Sequence, residues 1–329
     1  MISRHLVQLK KASIRPISYS FNSNRHYTTI PFDTKPFPFN RFEPCCPDET
    51  TEKAENGFVP CQKHPIPKVL GRKIDMETDM KGSGIPKDRH MVICVGEQGI
   101  EWTRSKVEAV TDGSVYAINQ LHHQYLHYQK THHLPIPPPT DREMLTTICD
   151  RPPTSSSSSS PSTCDVMIFP EFRLYTQIDY QQLNLSTTKS SSSTDFVKVL
   201  ETLWNNPSSS QLPQVTKQTE MKDIDAVILV CTHERRDMRC GVLGPLLVNA
   251  FRNCLNDGAL KNKNVLVYGT SHFGGHKYAG NVIIHQKGLG GHMYGNVREC
   301  HVPSIIDRHI IHGKVIKELW RSQVTPPSL

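Results

Sequence analysis

No stretch of this chain stays apolar for the roughly 18 residues that a bilayer-spanning helix needs. The best apolar runs, such as Ala226 to Val230, have the length of a strand, which argues against membrane insertion. No C-x-x-C occurs although the chain has 10 cysteines, so a thioredoxin-type dithiol motif is excluded. Close-set cysteine knuckles, the usual mark of a structural zinc site, are missing too. Ten thiols scattered over 329 residues are not the disulfide framework of a short secreted domain. Acidic residues are absent from the first 30 positions, and that absence locates the charge of the whole molecule.

The net charge is +7, and Arg4, Lys10, Lys11, Arg15 and Arg25 supply five of those charges before residue 31. The remaining body is nearly neutral and gives no electrostatic case for nucleic-acid binding. On a helix, Ile2, Leu6, Leu9 and Ser13 share one face, and Arg4, Gln8, Lys11 and Arg15 the opposite one. A basic, hydroxyl-rich, acid-free segment with that split is expected to be a mitochondrial transit peptide over residues 1–30, removed near Arg25–Thr29. The expected destination is the mitochondrion, in the matrix, where most thiols stay reduced.

With 21% charged and 36% hydrophobic residues, the body has the composition of a folded protein with polar loops. Residues 40–185 read as a first domain. Its expected elements are a strand at Met91–Val95, a helix over Val115–Gln129 after the turn Thr111-Asp112-Gly113, and strands at Val166–Phe169 and Phe172–Leu174. Serine-rich pieces at Pro152–Ser162, Ser186–Thr194 and Asn205–Thr219 are too polar to repay their ordering entropy. Residues 186–220 are therefore read as a low-complexity linker, with a short helix at Phe196–Trp204 that closes the first domain.

Residues 221–321 read as a second domain, with a buried strand at Ala226–Val230 and an amphipathic helix over Val242–Leu255 carrying Pro245 in its first turn. A strand at Val265–Tyr268, an antiparallel pair at Val282–His285 and Met293–Val297, and a last helix from Ile305 to Ile311 follow. Strand–helix–strand followed by strand–strand–helix is the minimal thioredoxin-like order, so the expected fold class is α/β.

Chemistry concentrates in two loops of this second domain. CTHERRDMRCG, Cys231 to Gly241, leaves the first strand. It brings Cys240 to the start of a helix, where unpaired amides and the helix dipole stabilise a thiolate. Arg235, Arg236 and Arg239 are candidates to balance two thiolates. SHFGGHKYAGN, Ser271 to Asn281, leaves the next strand; Gly274 and Gly275 between His272 and His276 permit a tight turn that aims both imidazoles at one point. Spacing alone supports a metal site and leaves the metal open. With 17 histidines in the chain, clusters such as His122/His123/His127 and His132/His133 read as surface crowding. His292 lies in a glycine-rich echo of the second motif and reads as a hairpin-turn residue, with a spare ligand as the alternative. Cys94 and Cys254 read as core. Cys45, Cys46 and Cys61, with His64 nearby, are idle thiols or a second redox or metal site.

The two loop motifs resemble the signature of the sucrase/ferredoxin-like family, as do MYGNV and the tail GKVIKELWRS, Gly313 to Ser322. The resemblance is dense over 221–321 and thin over 40–185, where Cys45-Cys46-Pro47, the strand into Gly96, and Trp102 carry it. It implies two thioredoxin-like domains, the first degenerate and the second a thioredoxin-like ferredoxin with a [2Fe–2S] cluster. Carried over residue by residue, it implies Cys231, Cys240, His272 and His276 as ligands, an H-x-x-x-H replacing the second cysteine pair of ordinary members, and His233 as their support. The "sucrase" half of the family label finds no counterpart, since the paired acidic motif of glycoside hydrolysis is absent.

The expected function is therefore a mitochondrial [2Fe–2S] redox protein that passes single electrons to unidentified protein partners or maintains redox homeostasis. Two alternatives stay open: a thiol oxidoreductase working through Cys45, Cys46 or Cys61, and a non-redox scaffold in which the same Cys2His2 set holds structural zinc.

Overall fold

The computed structural model describes residues 42–43, 72–84, 86–136, 144–154, 162–185, 192–206, 212–215, 218–256 and 263–327. The expected leader, Cys45, Cys46, Cys61 and His64 lie outside these residues.

Ten strands form one mixed sheet. They are β1 (His90–Cys94), β2 (Leu145–Cys149), β3 (Thr163–Phe169), β4 (Arg173–Asp179), β5 (Gln218–Glu220), β6 (Ala226–Cys231), β7 (Val265–Thr270), β8 (Val282–Gln286), β9 (Gly290–Tyr294) and β10 (Trp320–Thr325). Their order across the sheet is β10-β9-β8-β6-β7-β2-β1-β3-β4-β5. The helices are α1 (Ser114–Thr131), α2 (Ser192–Asn205), α3 (Met238–Cys254) and α4 (Val302–Ile305), the last running on into a wider turn at Ile306–Ile311.

The order hides a repeat. β1 is parallel to β2 and antiparallel to β3, which pairs antiparallel with β4. β6 is parallel to β7 and antiparallel to β8, which pairs antiparallel with β9. Each unit thus runs strand–helix–strand–strand–strand, followed by a helix, and each ends in an added antiparallel edge strand, β5 or β10. The two units meet at one antiparallel register pair, Cys149 opposite Thr270.

That narrow seam lets the two halves fold face to face. β1 and β8 are four strand steps apart, roughly 19 Å on a flat sheet, yet the His90 and His285 side chains touch at 2.9 Å. Strand alternation explains the layers. Ala226, Ile228 and Val230 point into a core with Leu247, Phe251 and Ile305 of α3 and α4. Met91 and Ile93 point into the matching core under α1 and α2. Val92, Cys94, Cys149, Val227, Leu229 and Ile283 fill the layer between the half-sheets. All six residues of β6 are buried, as an unbroken apolar strand covered on both faces requires.

A polar string crosses that inner layer. His90 Nε2 bonds Thr147 Oγ1 at 2.9 Å, its Nδ1 meets His285 Nε2 at 2.9 Å, and His285 Nδ1 meets Thr325 Oγ1 at 3.3 Å. Phe169 stacks flat on His285 with centroids 4.1 Å apart. Burial holds both rings neutral, His90 at about 3 and His285 well below the ordinary histidine value.

Several sequence expectations shift at their edges. Residues 186–220 carry α2, whose Phe196, Val199, Leu200 and Leu203 enter the first core, and edge strand β5. α3 starts at Met238 because the Asp237 carboxylate caps it by accepting from the Arg239 amide at 3.0 Å. Pro245 therefore sits inside the helix instead of in its first turn. His292 lies in β9, buried, with Trp320 Nε1 donating to its Nδ1 at 3.2 Å; it is a strand residue and not a turn residue. Cys94 is buried and Cys254 packs half-buried against the α3–α4 core, both as expected. Among the described residues no helix is long and apolar enough to cross a membrane.

The outer edge of β10 is covered by the segment before β1: Gly82 donates its amide to the Arg321 carbonyl at 2.7 Å, and Lys87 to the Val324 carbonyl at 2.8 Å.

Candidate metal centre

The two motif loops meet where the parallel pair β6 and β7 ends. Cys231 is the last residue of β6, with its amide bonded to the Asn281 carbonyl at 3.0 Å. Cys240 sits in the first turn of α3, fixed by the Asp237 cap. His272 follows β7 by two residues. The Cys231 and Cys240 sulfurs and a ring nitrogen of His272 all lie within 4.8 Å of one another, with Cys231 Sγ 3.7 Å from His272 Nδ1. His276 stands outside this triplet: it is exposed, and its ring centroid is 5.5 Å from that of His272. Gly274 and Gly275 between the two histidines adopt φ of 95° and 71°, the left-handed region glycine enters without strain.

The donor set fits a cation. Both thiols are buried, and the Cys240 thiol donates to the Cys231 sulfur. That bond, with help from His272, brings Cys231 from 9.0 down to about 6 against the opposing effect of burial. The same bond, followed by burial, pushes Cys240 up. The pair shares one proton, because two bare thiolates at this separation repel unless a positive ion lies between them.

The charges around the sulfurs differ from the sequence expectation. Arg235 and Arg236 are exposed. Arg239 is spent on Asp237 through two bonds of 2.8 Å, and its Nη1 donates to the Lys73 carbonyl. The buried cation is Arg321 of β10, 1% exposed. It donates to the Gly274 carbonyl at 3.1 Å, to Asn281 Oδ1 at 2.7 Å and to the side chain and carbonyl of Ser83. All four acceptors are neutral, and no carboxylate pairs with Arg321 among the described residues. A Cβ on Gly275 would overlap the guanidinium, so the second glycine gives the loop its turn and also gives Arg321 its place. Burial lowers the Arg321 pKa to about 10, offset in part by Tyr278, Cys231 and Cys240, so it stays charged at neutral pH. The only sequence signal for this residue is its position in the WRS tail.

His233 supports the loops. Its Nε2 bonds the Arg104 carbonyl at 2.9 Å, and its Nδ1 faces the His272 amide at 3.5 Å. That matches a neutral ring donating through Nε2 and accepting through Nδ1; burial lowers its pKa and favours the neutral form. Histidines outside the motifs serve elsewhere: His122 stacks on Trp204, and His132 packs at a tilt against Tyr128.

The profile of the sucrase/ferredoxin-like family matches residues 80–322. The chain belongs to this family. The match covers both repeat units, so the first unit is as much a part of the family fold as the second. The chain is 42% identical over 113 residues to altered inheritance of mitochondria protein 32 of Debaryomyces hansenii, and 40% identical over 112 residues to the protein of that name from Clavispora lusitaniae. These matches take in about a third of this chain, 33% and 34%, and 40% and 39% of the relatives. The relatives' names associate those proteins with mitochondria. A thioredoxin-like [2Fe–2S] ferredoxin from Aquifex aeolicus aligns over 32% of this chain and 98% of its own, at 17% identity and a TM-score of 0.28.

Proposed function

We propose that this sucrase/ferredoxin-like protein holds a [2Fe–2S] cluster on Cys231, Cys240, His272 and His276 and works as a one-electron carrier in mitochondrial redox homeostasis, in the matrix. The repeat units are then two thioredoxin-like domains, the first without ligands. The observation that carries the reading is the convergence of two buried thiols and an imidazole, from three separate strand and helix ends, beside a buried arginine without a carboxylate partner. His276, its ring centroid 5.5 Å from that of His272, would supply the fourth ligand. When bound, the cluster supplies reversible one-electron chemistry. The chain supplies two thiolates, two neutral imidazoles and the fixed positive charge of Arg321.

The test is iron, zinc and acid-labile sulfide analysis of the purified chain, with electron paramagnetic resonance after dithionite reduction. Iron and sulfide in equal amounts, with a rhombic signal on reduction, are expected. Zinc without a signal overturns the reading and leaves a structural metal site.

A further inference from the structure

A cavity of about 430 Å³ lies on the other side of His233 from the metal centre. It falls in the volume range of small-molecule sites and opens at the carboxyl ends of β1, β2 and β6. Both repeat units build it. Glu97, Trp102 and Asp150 come from the first, and Thr232, Arg235, Asn249 and Arg252 from the second. Carboxyl strand ends at the meeting of two α/β halves are where open sheets place ligands.

The walls carry both signs of charge, and one carboxylate oxygen among them is left without a donor. Asp150 follows β2 directly. Its Oδ1 is buried without a hydrogen-bond partner, and the side chain makes no ion pair among the described residues. The neighbouring cation, Arg151, is committed to Asp165 at 2.7 Å, and Arg252 donates to the Val267 carbonyl at 3.1 Å. A buried carboxylate oxygen without a donor is unfavourable, so the cavity calls for a ligand with an N–H or ammonium group at that point. Burial raises the Asp150 pKa, opposed by the Gly269 amide and by Arg252, with Glu97 adding to it. Space for the carboxylate is kept by Gly269, where a Cβ would lie 2.8 Å from both Asp150 Oδ2 and Thr232 Oγ1. Arg235 at the exposed rim offers a cation to the ligand's other end. Thr232 and Asn249 offer a hydroxyl and an amide between the two, and Trp102 an apolar wall.

We propose that this cavity binds a small zwitterion of the short-peptide type, its ammonium on Asp150, its carboxylate toward Arg235, and its amides on Thr232 and Asn249. Trp102 stands edge-on to His233 with centroids 5.7 Å apart, and His233 holds the His272 loop. Occupancy of the cavity is thereby felt at the metal centre through a side chain common to both. The binding site itself does not depend on which ion the cysteines hold.

Calorimetric titration of the full chain with triglycine and with glutathione tests this, beside N-acetyl-triglycine and triglycine amide, each lacking one charge. Saturable binding of the zwitterions is expected, with at least about tenfold weaker binding of both blocked peptides. Asp150→Asn, close to isosteric, should weaken the zwitterions by about the same factor and leave N-acetyl-triglycine unchanged. Asn249→Leu, which removes the amide from an exposed helix face, should weaken both zwitterions by about tenfold while thermal unfolding stays cooperative. Absence of saturable binding by either zwitterion, or equal binding by the blocked peptides or by Asp150→Asn, overturns the proposal. Binding retained after metal removal separates its outcome from that of the cluster reading.

Discussion

The two repeat units have the same ladder of strands and opposite contents at the same address. Cys94 ends β1 as Cys231 ends β6, and Cys149 ends β2 where Thr270 ends β7. Asp165, opposite Cys94, occupies the place of Asn281 beyond Cys231. In the first unit this corner is closed by protein alone: Asp165 accepts from Arg151, Thr154 and the Gln177 amide. In the second unit Asn281 holds an arginine that has no carboxylate partner among the described residues, beside two thiols that share a proton. Equal topology with unequal corners shows that the loops leaving the strands, more than the sheet, decide what a unit can bind. A cysteine at a strand end becomes a ligand only when the next loop returns a second donor to it.

The largest test of that contrast swaps the corners. Cys231→Ala or Cys240→Ala should remove the iron–sulfur visible spectrum entirely and destabilise the second unit, since the remaining donors lose their ion. Cys94→Ala, a buried cysteine at the equivalent address, should keep the spectrum and cost only packing, about 1 kcal/mol. A full spectrum in both ligand variants, or its loss in Cys94→Ala, breaks the comparison.

Acid separates the units next. His90 lies in the first, and His285, His292 and His309 in the second; all four are buried with lowered pKa values. Unfolded histidine takes its proton near 6.5, and these folded rings take it only at lower pH. The unfolded state therefore binds more protons below 6.5, and folding stability falls as pH drops from there toward about 4, the value of His292. Each ring contributes up to about 1.4 kcal/mol per pH unit in that window. Urea midpoints at pH 7 and pH 5 check this. His90→Gln with His285→Phe should flatten the slope by about two protons; an unchanged slope refutes the neutral string.

A third expectation concerns the donor type that distinguishes the second corner. His272→Cys and His276→Cys should each retain a cluster and lower its potential by on the order of 100 mV, because a thiolate adds negative charge that an imidazole does not. Voltammetry decides; a potential equal to the parent's means that the replaced histidine is not a ligand. The smallest effect belongs to the charge that only this corner buries. Arg321→Gln should lower the potential by tens of millivolts, on the order expected for one charge several ångströms away in a partly polar interior. Arg321→Lys should restore part of it, and equality of all three would remove Arg321 from any electrostatic role.

The sequence made the second unit legible because its signals are local. The AVILV run, the helix face of Leu243, Leu247 and Phe251, and two loops with donors at fixed spacing all lie within a hundred residues. The first unit was legible only in pieces, since serine-rich inserts separate strands that pair. Three features could not be read in advance. The Cys149–Thr270 seam joins residues 121 positions apart in number, and nothing in either strand announces a partner. The role of Arg321 depends on the hole that Gly275 leaves, which is a tertiary fact. The early start of α3 was missed because the glycines at 241 and 244 weaken the helical pattern, whereas the Asp237 cap that overrides them is a single residue.

The cover on β10 has a consequence for handling the protein. The other border of the sheet, β5, is three residues long, ends in Glu220 and is followed by Lys222, so it offers little for another chain to pair with. β10 is six residues long, and on its outer edge the Arg321 and Val324 carbonyls accept from the Gly82 and Lys87 amides. A chain trimmed to begin at β1 would leave that border bare, with unpaired amides and carbonyls ready to accept a strand from a second molecule. Self-association of such a truncated protein, reversed by restoring residues 72–89, would mark this short segment as the part of the fold that keeps it from polymerising.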